Sequence, residues 1–253
     1  MPGTDEMKLV ILQSHNREQL SGWMGRCTAS VKAWAAALGA DYQLIHDELF
    51  DYVPADLLAK AGDQRVIATD IARLGWMKEV LNGGCHRVIW CDADLLVFRH
   101  FYPLDTSHAF GREVWVQLKN GRPRAYRKIH NAYMSFTADS PVLDFYLESA
   151  TRLLTAAKMP VVPQFLGPKL LTALHNIVGF TVEERVGMLS PLALQALLAG
   201  GGIAFDMTEK GHADDLCALN LSASLEGQSN DGVCNNKQDY DVVIDLLLAK
   251  STS

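Results

Sequence analysis

Over its first 91 residues the chain alternates short apolar runs with longer amphipathic stretches, and that alternation decides the kind of sheet it can build. Residues 8–13 are an apolar run followed by Ser-His-Asn, the pattern of a buried strand leading into a loop. Met24, Cys27, Val31, Trp34 and Leu38 then recur at helical spacing, and Gly39 is placed to cap that helix. A second strand is expected at 42–45 and a short helix after Pro54 at 55–60. Ile67, Ile71, Leu74, Met77 and Leu81 predict a longer helix at 66–81, stopped by Gly83-Gly84, and a third strand follows at 87–91. This order belongs to an α/β fold with a mostly parallel, Rossmann-like sheet flanked by helices, whose ligands gather beyond the carboxyl ends of the strands.

Beyond residue 100 the pattern loosens. Strands are expected at 113–118 and 132–136, with a basic loop at 119–128 between them. That loop gathers Lys119, Arg122, Arg124, Arg127 and Lys128, five of the 23 cations, and reads as a solvated loop, as a mobile flap that closes on a diphosphate, or as a site for an anionic acceptor. Ser140-Pro141 opens a helix to about residue 157, Pro168 opens another to about 177, and a last one covers 239–250. Residues 186–205 carry no charge over a length that can span a bilayer. Ser190-Pro191 and the glycines at 200, 201 and 202 divide this stretch into strand, helix and turn instead.

Composition narrows the function. A hydrophobic share of 49% supports a core without disulfides or structural metal. A formal charge of −6 with no lysine-arginine run argues against a nucleic-acid partner, since each neutralised phosphate needs a cation. The five cysteines form no C-x-x-C pair, and the polar stretch 1–7 lacks the blocks of a signal peptide. The expectation is a cytoplasmic protein with no integral membrane segment.

No G-x-G-x-x-G follows a strand, and no G-x-x-x-x-G-K-S/T, G-x-S-x-G or H-E-x-x-H occurs. What stands out is Asp92-Ala93-Asp94, two carboxylates at the carboxyl end of the apolar run 87–91, with Leu95-Leu96-Val97-Phe98 after them. Two anions in so apolar a setting repel each other and lose hydration unless a cation balances them. A hard divalent ion, Mn²⁺ or Mg²⁺, does so and keeps positions open for the oxygens of a diphosphate. The plainer alternative is a pair of turn residues ending a strand.

From Asp70 to Asp94 the sequence resembles the DXD-containing glycosyltransferases of the GT-A fold. The motifs are Asp70-x-x-Arg73, Gly83-Gly84, then the strand and Asp92-Ala93-Asp94. It is most similar to glycosyltransferase family 32 and the catalytic core of the clostridial glucosylating toxins. Further matches follow in order: Ser30 to Trp34 before a Tyr42-containing strand, His130-Asn131-Ala132 entering a strand, and Leu166-Gly167-Pro168 with Leu171-Thr172 opening a helix. They cover about residues 8–180.

The resemblance implies a GT-A nucleotide-diphospho-sugar transferase fold in one domain, 1–253, with a nucleotide-sugar-binding half to about residue 100 and an acceptor-binding half after it. It also implies a hexosyltransferase of polysaccharide or glycoconjugate biosynthesis. Such an enzyme moves a sugar from a nucleotide diphosphate sugar, a UDP-sugar, to a carbohydrate, lipid-linked or protein acceptor with retention of configuration. Asp70, Arg73 and Asn131 would face the donor sugar as the catalytic set. Asp92, Gly167, Pro168 and His15 would complete donor binding, His15 and Asn16 near the base. Asp92 and Asp94 would hold the metal. The family often adds a histidine ligand near the end of the fold; here Asn220, before Leu221 and Ser222, occupies that place, and His212 competes with it. This departure leaves a second expectation open, a non-catalytic nucleotide-sugar-binding protein on the same fold. A sugar nucleotidyltransferase is disfavoured by the lack of a glycine-rich basic loop after the first strand.

Overall fold

The structure is a computed structural model that describes residues 8–20 and 22–250. The polar stretch 1–7 lies outside the described residues.

The first three strands, β1 (Leu9–Ser14), β2 (Asp41–Ile45) and β3 (Arg87–Cys91), lie side by side and parallel, with β1 in the middle. Helices α1 (Trp23–Ala37), α2 (Ala55–Ala61) and α3 (Arg65–Asn82) connect them. Both faces of β1 and β3 are covered, which explains their unbroken apolar character. Val10, Leu12, Val88 and Trp90 face a core with Ile67, Ile71 and Leu74 of α3. Ile11, Ile89 and Cys91 face Val31 and Trp34 of α1. The alternation visible in the sequence is thus the alternation of pleat and helix stripe.

After a three-residue strand β4 (Leu95–Val97) the chain forms two long strands, β5 (His108–Lys119) and β6 (Arg122–Thr137). β6 pairs antiparallel with both β3 and β5. After α4 (Pro141–Ala156) and α5 (Leu170–Val178), β7 (Val182–Glu183) adds to β5 in parallel. The six-stranded sheet has the order β2-β1-β3-β6-β5-β7, with three parallel and two antiparallel neighbours. β8 (Val186–Met188), α6 (Pro191–Leu198), α7 (Ile203–Lys210) and β9 (Ala218–Asn220) follow. β4, β9 and β8 make a second, small sheet. A short hairpin, β10 (Ser229–Asn230) and β11 (Val233–Cys234), precedes α8 (Lys237–Lys250). Among the described residues no helix is long and apolar enough to cross a membrane. The uncharged stretch from Val186 resolves into β8, a helix capped by the Ser190 hydroxyl and a glycine turn.

The expected basic loop at 119–128 is instead the tip of a continuous hairpin in which Lys119 pairs with Arg122, Gln117 with Arg124 and Trp115 with Tyr126. Asn120 and Gly121 form its two-residue turn with φ of 53° and 72°. A type I′ turn requires positive φ at both positions and matches the twist of the strands, so Asn-Gly directs the hairpin that the run of charges conceals. The expected helix at Pro168 also shifts: residues Phe165–Lys169 form one wide turn broken at Gly167, and regular helix begins at Leu170.

Gly121→Val forces a β-branched side chain into the left-handed region and should cost about 1–2 kcal/mol. Urea unfolding of the variant against wild type measures this, and an unchanged midpoint would contradict the turn assignment.

Candidate active site at the junction of two sheets

Asp92 follows β3 immediately, and Asp94 immediately precedes β4, so the chain crosses from the large sheet to the small one at Asp92-Ala93-Asp94. The crossing is a tight turn: Leu95 N–H donates to Asp92 C=O at 3.0 Å, and Asp92 N–H donates to Ala132 C=O of β6 at 2.8 Å. It is a turn, as the plainer reading held, but one enclosed by two sheets and helix α3.

Arg73 organises the Asp92 side. Its guanidinium donates to Asp92 Oδ1 at 3.0 Å, to the Asn131 carbonyl at 3.1 Å and to Asp70 Oδ1. Asp70 and Arg73 lie one helical turn apart on α3 and share a face. Their side chains are only 3% and 6% exposed, so this is no solvated surface pair. Asn131 Nδ2 donates to the same Asp70 oxygen at 2.9 Å. Burial alone would weaken the guanidinium charge, but Asp92 and Asp70 outweigh it and hold Arg73 protonated. Burial pushes the Asp70 carboxyl above its ordinary range, with Arg73 opposing the shift.

Gly167 covers this cluster. A Cβ there would come within 2.9 Å of Asn131 Nδ2 and 3.2 Å of Asp70 Oδ1, so only glycine lets the 165–169 turn approach so closely. Tyr146 of α4 fixes that turn by donating to the Leu166 carbonyl at 2.8 Å. Pro168 follows on the half-buried side of the turn.

Asp94 stands in a different environment. Asn220, the last residue of β9, donates through Nδ2 to Asp94 Oδ1 at 2.5 Å, and the Ala223 N–H donates to Oδ2 at 2.8 Å. Asn220 Oδ1 accepts from the Ser222 N–H at 2.9 Å. Burial pushes the Asp94 carboxyl up to about 6; the Asp92 charge adds to the shift and these N–H donors oppose it. His212 lies elsewhere, its Nδ1 2.7 Å from the Glu184 carbonyl and its ring against Gly187. Among the described residues no group of three or more His, Cys, Asp or Glu side chains is arranged to hold a metal ion.

The structure thus brings together Asp70, Arg73, Asp92, Asn131 and Gly167, and joins Asn220 to Asp94. His15 sits past the end of β1 toward β2, its N–H on the Ile45 carbonyl and its carbonyl 2.6 Å from His46 Nδ1. Two contributors escaped the sequence reading. Gln13, fully buried, donates to the Asp92 carbonyl at 3.0 Å and accepts from the Tyr42 hydroxyl at 2.8 Å. Trp90 Nε1 donates to Asp92 Oδ1 at 2.6 Å. The signals were present: a polar residue at the carboxyl end of an apolar strand, and an indole two positions before the aspartate on the same strand face.

Arg73→Met leaves Asp70 and Asp92 without their buried partner and should destabilise the chain by about 3–5 kcal/mol in chemical unfolding. The Asp94 shift gives a pH test. The folded pKa, about 6, exceeds the unfolded one, so between the two values the folded state keeps a proton that the unfolded state releases. The Asp94 contribution is therefore greatest in acid and is lost as pH rises to about 6 and above. The melting temperature of wild type minus that of Asp94→Asn should fall between roughly pH 4 and 6.5 in metal-free buffer; a flat difference contradicts the assignment.

No family model matches the sequence, and no curated protein matches it significantly. Solved structures do resemble it. A glycosyltransferase involved in glycosylation of the major capsid of PBCV-1 aligns over 94% of this chain and 99% of its own, at 11% identity and a TM-score of 0.50. Galactosyltransferase LgtC, solved with donor and acceptor sugar analogues, covers 94% and 95% at 9% identity and a TM-score of 0.46. Mouse xyloside xylosyltransferase 1 covers 86% and 98% at 10% identity and a TM-score of 0.44. At such identities the likeness concerns the backbone, and the first of these carries it: the chain has the mixed α/β architecture of GT-A glycosyltransferases.

Proposed function

We propose that this chain is a metal-assisted glycosyltransferase that moves a sugar from a nucleotide diphosphate sugar, a UDP-sugar, to an acceptor with retention of configuration. One observation carries the reading: two half-buried carboxylates, Asp92 and Asp94, flank a turn where two sheets meet, beside the buried Arg73, Asp70 and Asn131. Asp94 accepts N–H donors from Asn220 and Ala223 but has no cation beside it, and burial and Asp92 both penalise its charge. Positions at which charge is unfavourable without a ligand are favoured places for function.

The donor set fits a hard divalent ion, Mn²⁺ or Mg²⁺. Asp92 and Asp94 offer carboxylate oxygens, and among the described residues no donor meets Asp92 Oδ2. Two protein carboxylates leave coordination positions for diphosphate oxygens. A bound ion would neutralise the charge of the departing diphosphate. Asn220 holds Asp94 in place; serving as third ligand through its own oxygen would require its amide to turn over and release Ser222. His15, past the end of β1, is assigned to the nucleotide. Asp70 presents an acceptor for a sugar hydroxyl, Asn131 orients Asp70, and Arg73 holds both aspartates in register. Gly167 and Pro168 supply the wall over the sugar. No side chain is placed as a nucleophile, so the acceptor hydroxyl is assigned to lose its proton to the leaving phosphate.

Asn220 also favours a second reading, a nucleotide-sugar-binding protein without turnover, because a neutral amide replaces a charged or imidazole ligand. The two part on one measurement. UDP-glucose and related donors, incubated with and without Mn²⁺, should be hydrolysed only with the ion, and Asp94→Ala should lower that rate by roughly 10²-fold or more. Asp94→Ala turning over like wild type overturns the assignment. Tight, Mn²⁺-dependent donor binding without turnover favours the second reading.

A further inference from the structure

The tip of the β5–β6 hairpin is unexplained by the donor site. β6 runs antiparallel to β3, and Ala132 already faces Asp92, so everything N-terminal to Asn131 on β6 projects past the carboxyl edge where the two aspartates lie. From Asn131 back to Arg122 the strand covers on the order of 30 Å at about 3.4 Å per residue. A two-stranded arm of that length beside a donor site has the reach to engage a chain-like acceptor.

Its chemistry is specific to one face. Directly paired residues share a face of the ladder, and here the pairs read Trp115 with Tyr126, Gln117 with Arg124, and Lys119 with Arg122. The opposite face carries Val114 and Val116, which are buried, Val114 toward Gly211. Trp115, Gln117 and Tyr126 are half-buried while Lys119, Arg122 and Arg124 are exposed. Nearer the body the cations are already used: Arg127 meets Glu184 at 3.2 Å and Lys128 meets Glu113 at 3.8 Å. No carboxylate lies within ion-pair distance of Lys119, Arg122 or Arg124 among the described residues; the nearby Asp231 instead accepts the Leu118 N–H. An open groove of about 670 Å³ at the tip is lined from this face by Lys119, Arg122, Arg124 and Tyr126, with Trp115 and Gln117 outside its lining.

Three unpaired cations in a chain of net charge −6 keep an unfavourable self-repulsion that an anionic ligand relieves. Aromatic faces suit the C–H face of a pyranose, the Gln117 amide donates and accepts, and guanidinium forks match carboxylate or phosphate oxygens. We infer that this face of the arm is the acceptor subsite, and that it takes an anionic carbohydrate chain. The inference rests on the sugar-transfer reading for the word acceptor, though not for the binding itself.

Titration calorimetry of the full chain with hexagalacturonate, a heparin hexasaccharide and neutral maltohexaose tests it. An anionic hexamer should bind at least tenfold more tightly than maltohexaose, and Arg122→Gln/Arg124→Gln should remove that preference about tenfold. Trp115→Ala should weaken all three sugars, while UDP-glucose hydrolysis in the arginine double variant stays at the wild-type rate. Equal binding of charged and neutral hexamers, or a double variant that binds like wild type, overturns the inference. So does arm-dependent sedimentation with phosphatidylglycerol vesicles without hexamer binding, which would make the arm a membrane contact. Failure of donor turnover in every protein, with hexamer binding still arm-dependent, removes the transferase reading and leaves the glycan-binding arm standing.

Discussion

The buried guanidinium of Arg73 is the contact on which the arrangement around it depends. It belongs to α3, yet its acceptors come from the end of β3, from β6 and from its own helix. A planar fork with fixed donor directions can satisfy all three only if helix and strands hold one relative position. Bringing these charges out of water is expensive, and their mutual attraction roughly offsets that cost, so the cluster's value lies in geometry more than in net stability. Asn131 and Gly167 complete it on the Oδ1 side of Asp70.

Asp94, only two residues away, has no such support. It is surrounded by N–H groups and lacks a cation. The two aspartates therefore divide their tasks by environment: Asp92 is fixed by Arg73 and Trp90, while Asp94 keeps an uncompensated charge. The same separation appears on a larger scale, since an acidic chain holds three cations without carboxylate partners on the distal hairpin and a carboxylate without a cation at the sheet junction.

Much of this could be read from residue order. β3 has the expected bounds because Val88 to Cys91 are apolar on both faces and the run ends abruptly in charge. The helices at 23–37 and 65–82 follow from stripes at three- and four-residue spacing. Asp70, Arg73 and Asn131 were legible as a set through resemblance, and they do meet in space. The hairpin tip was not legible as strand because Arg, Lys and Pro outweigh its alternation, although Asn120-Gly121 encodes the turn. Gln13 escaped because a polar residue at a strand end has many uses, and its bond to the Asp92 backbone depends on which strands are neighbours. The direction of the Asn220 amide is likewise set by Ser222 and Asp94 together, a tertiary fact that no local pattern contains.

The crossing at Asp92-Ala93-Asp94 has a mechanical meaning. One aspartate is fastened to the large sheet by its N–H on β6 and its carboxylate on Trp90 of β3, and the other is held by Asn220 of the small sheet and by Ala223 just beyond it. Sliding of one sheet on the other must change the spacing of the two carboxylates, with only Ala93 between them to absorb it. Anything that bridges the pair acts as a clasp across the seam, and conversely a strain that shifts the small sheet loosens the clasp without touching a single ligand atom.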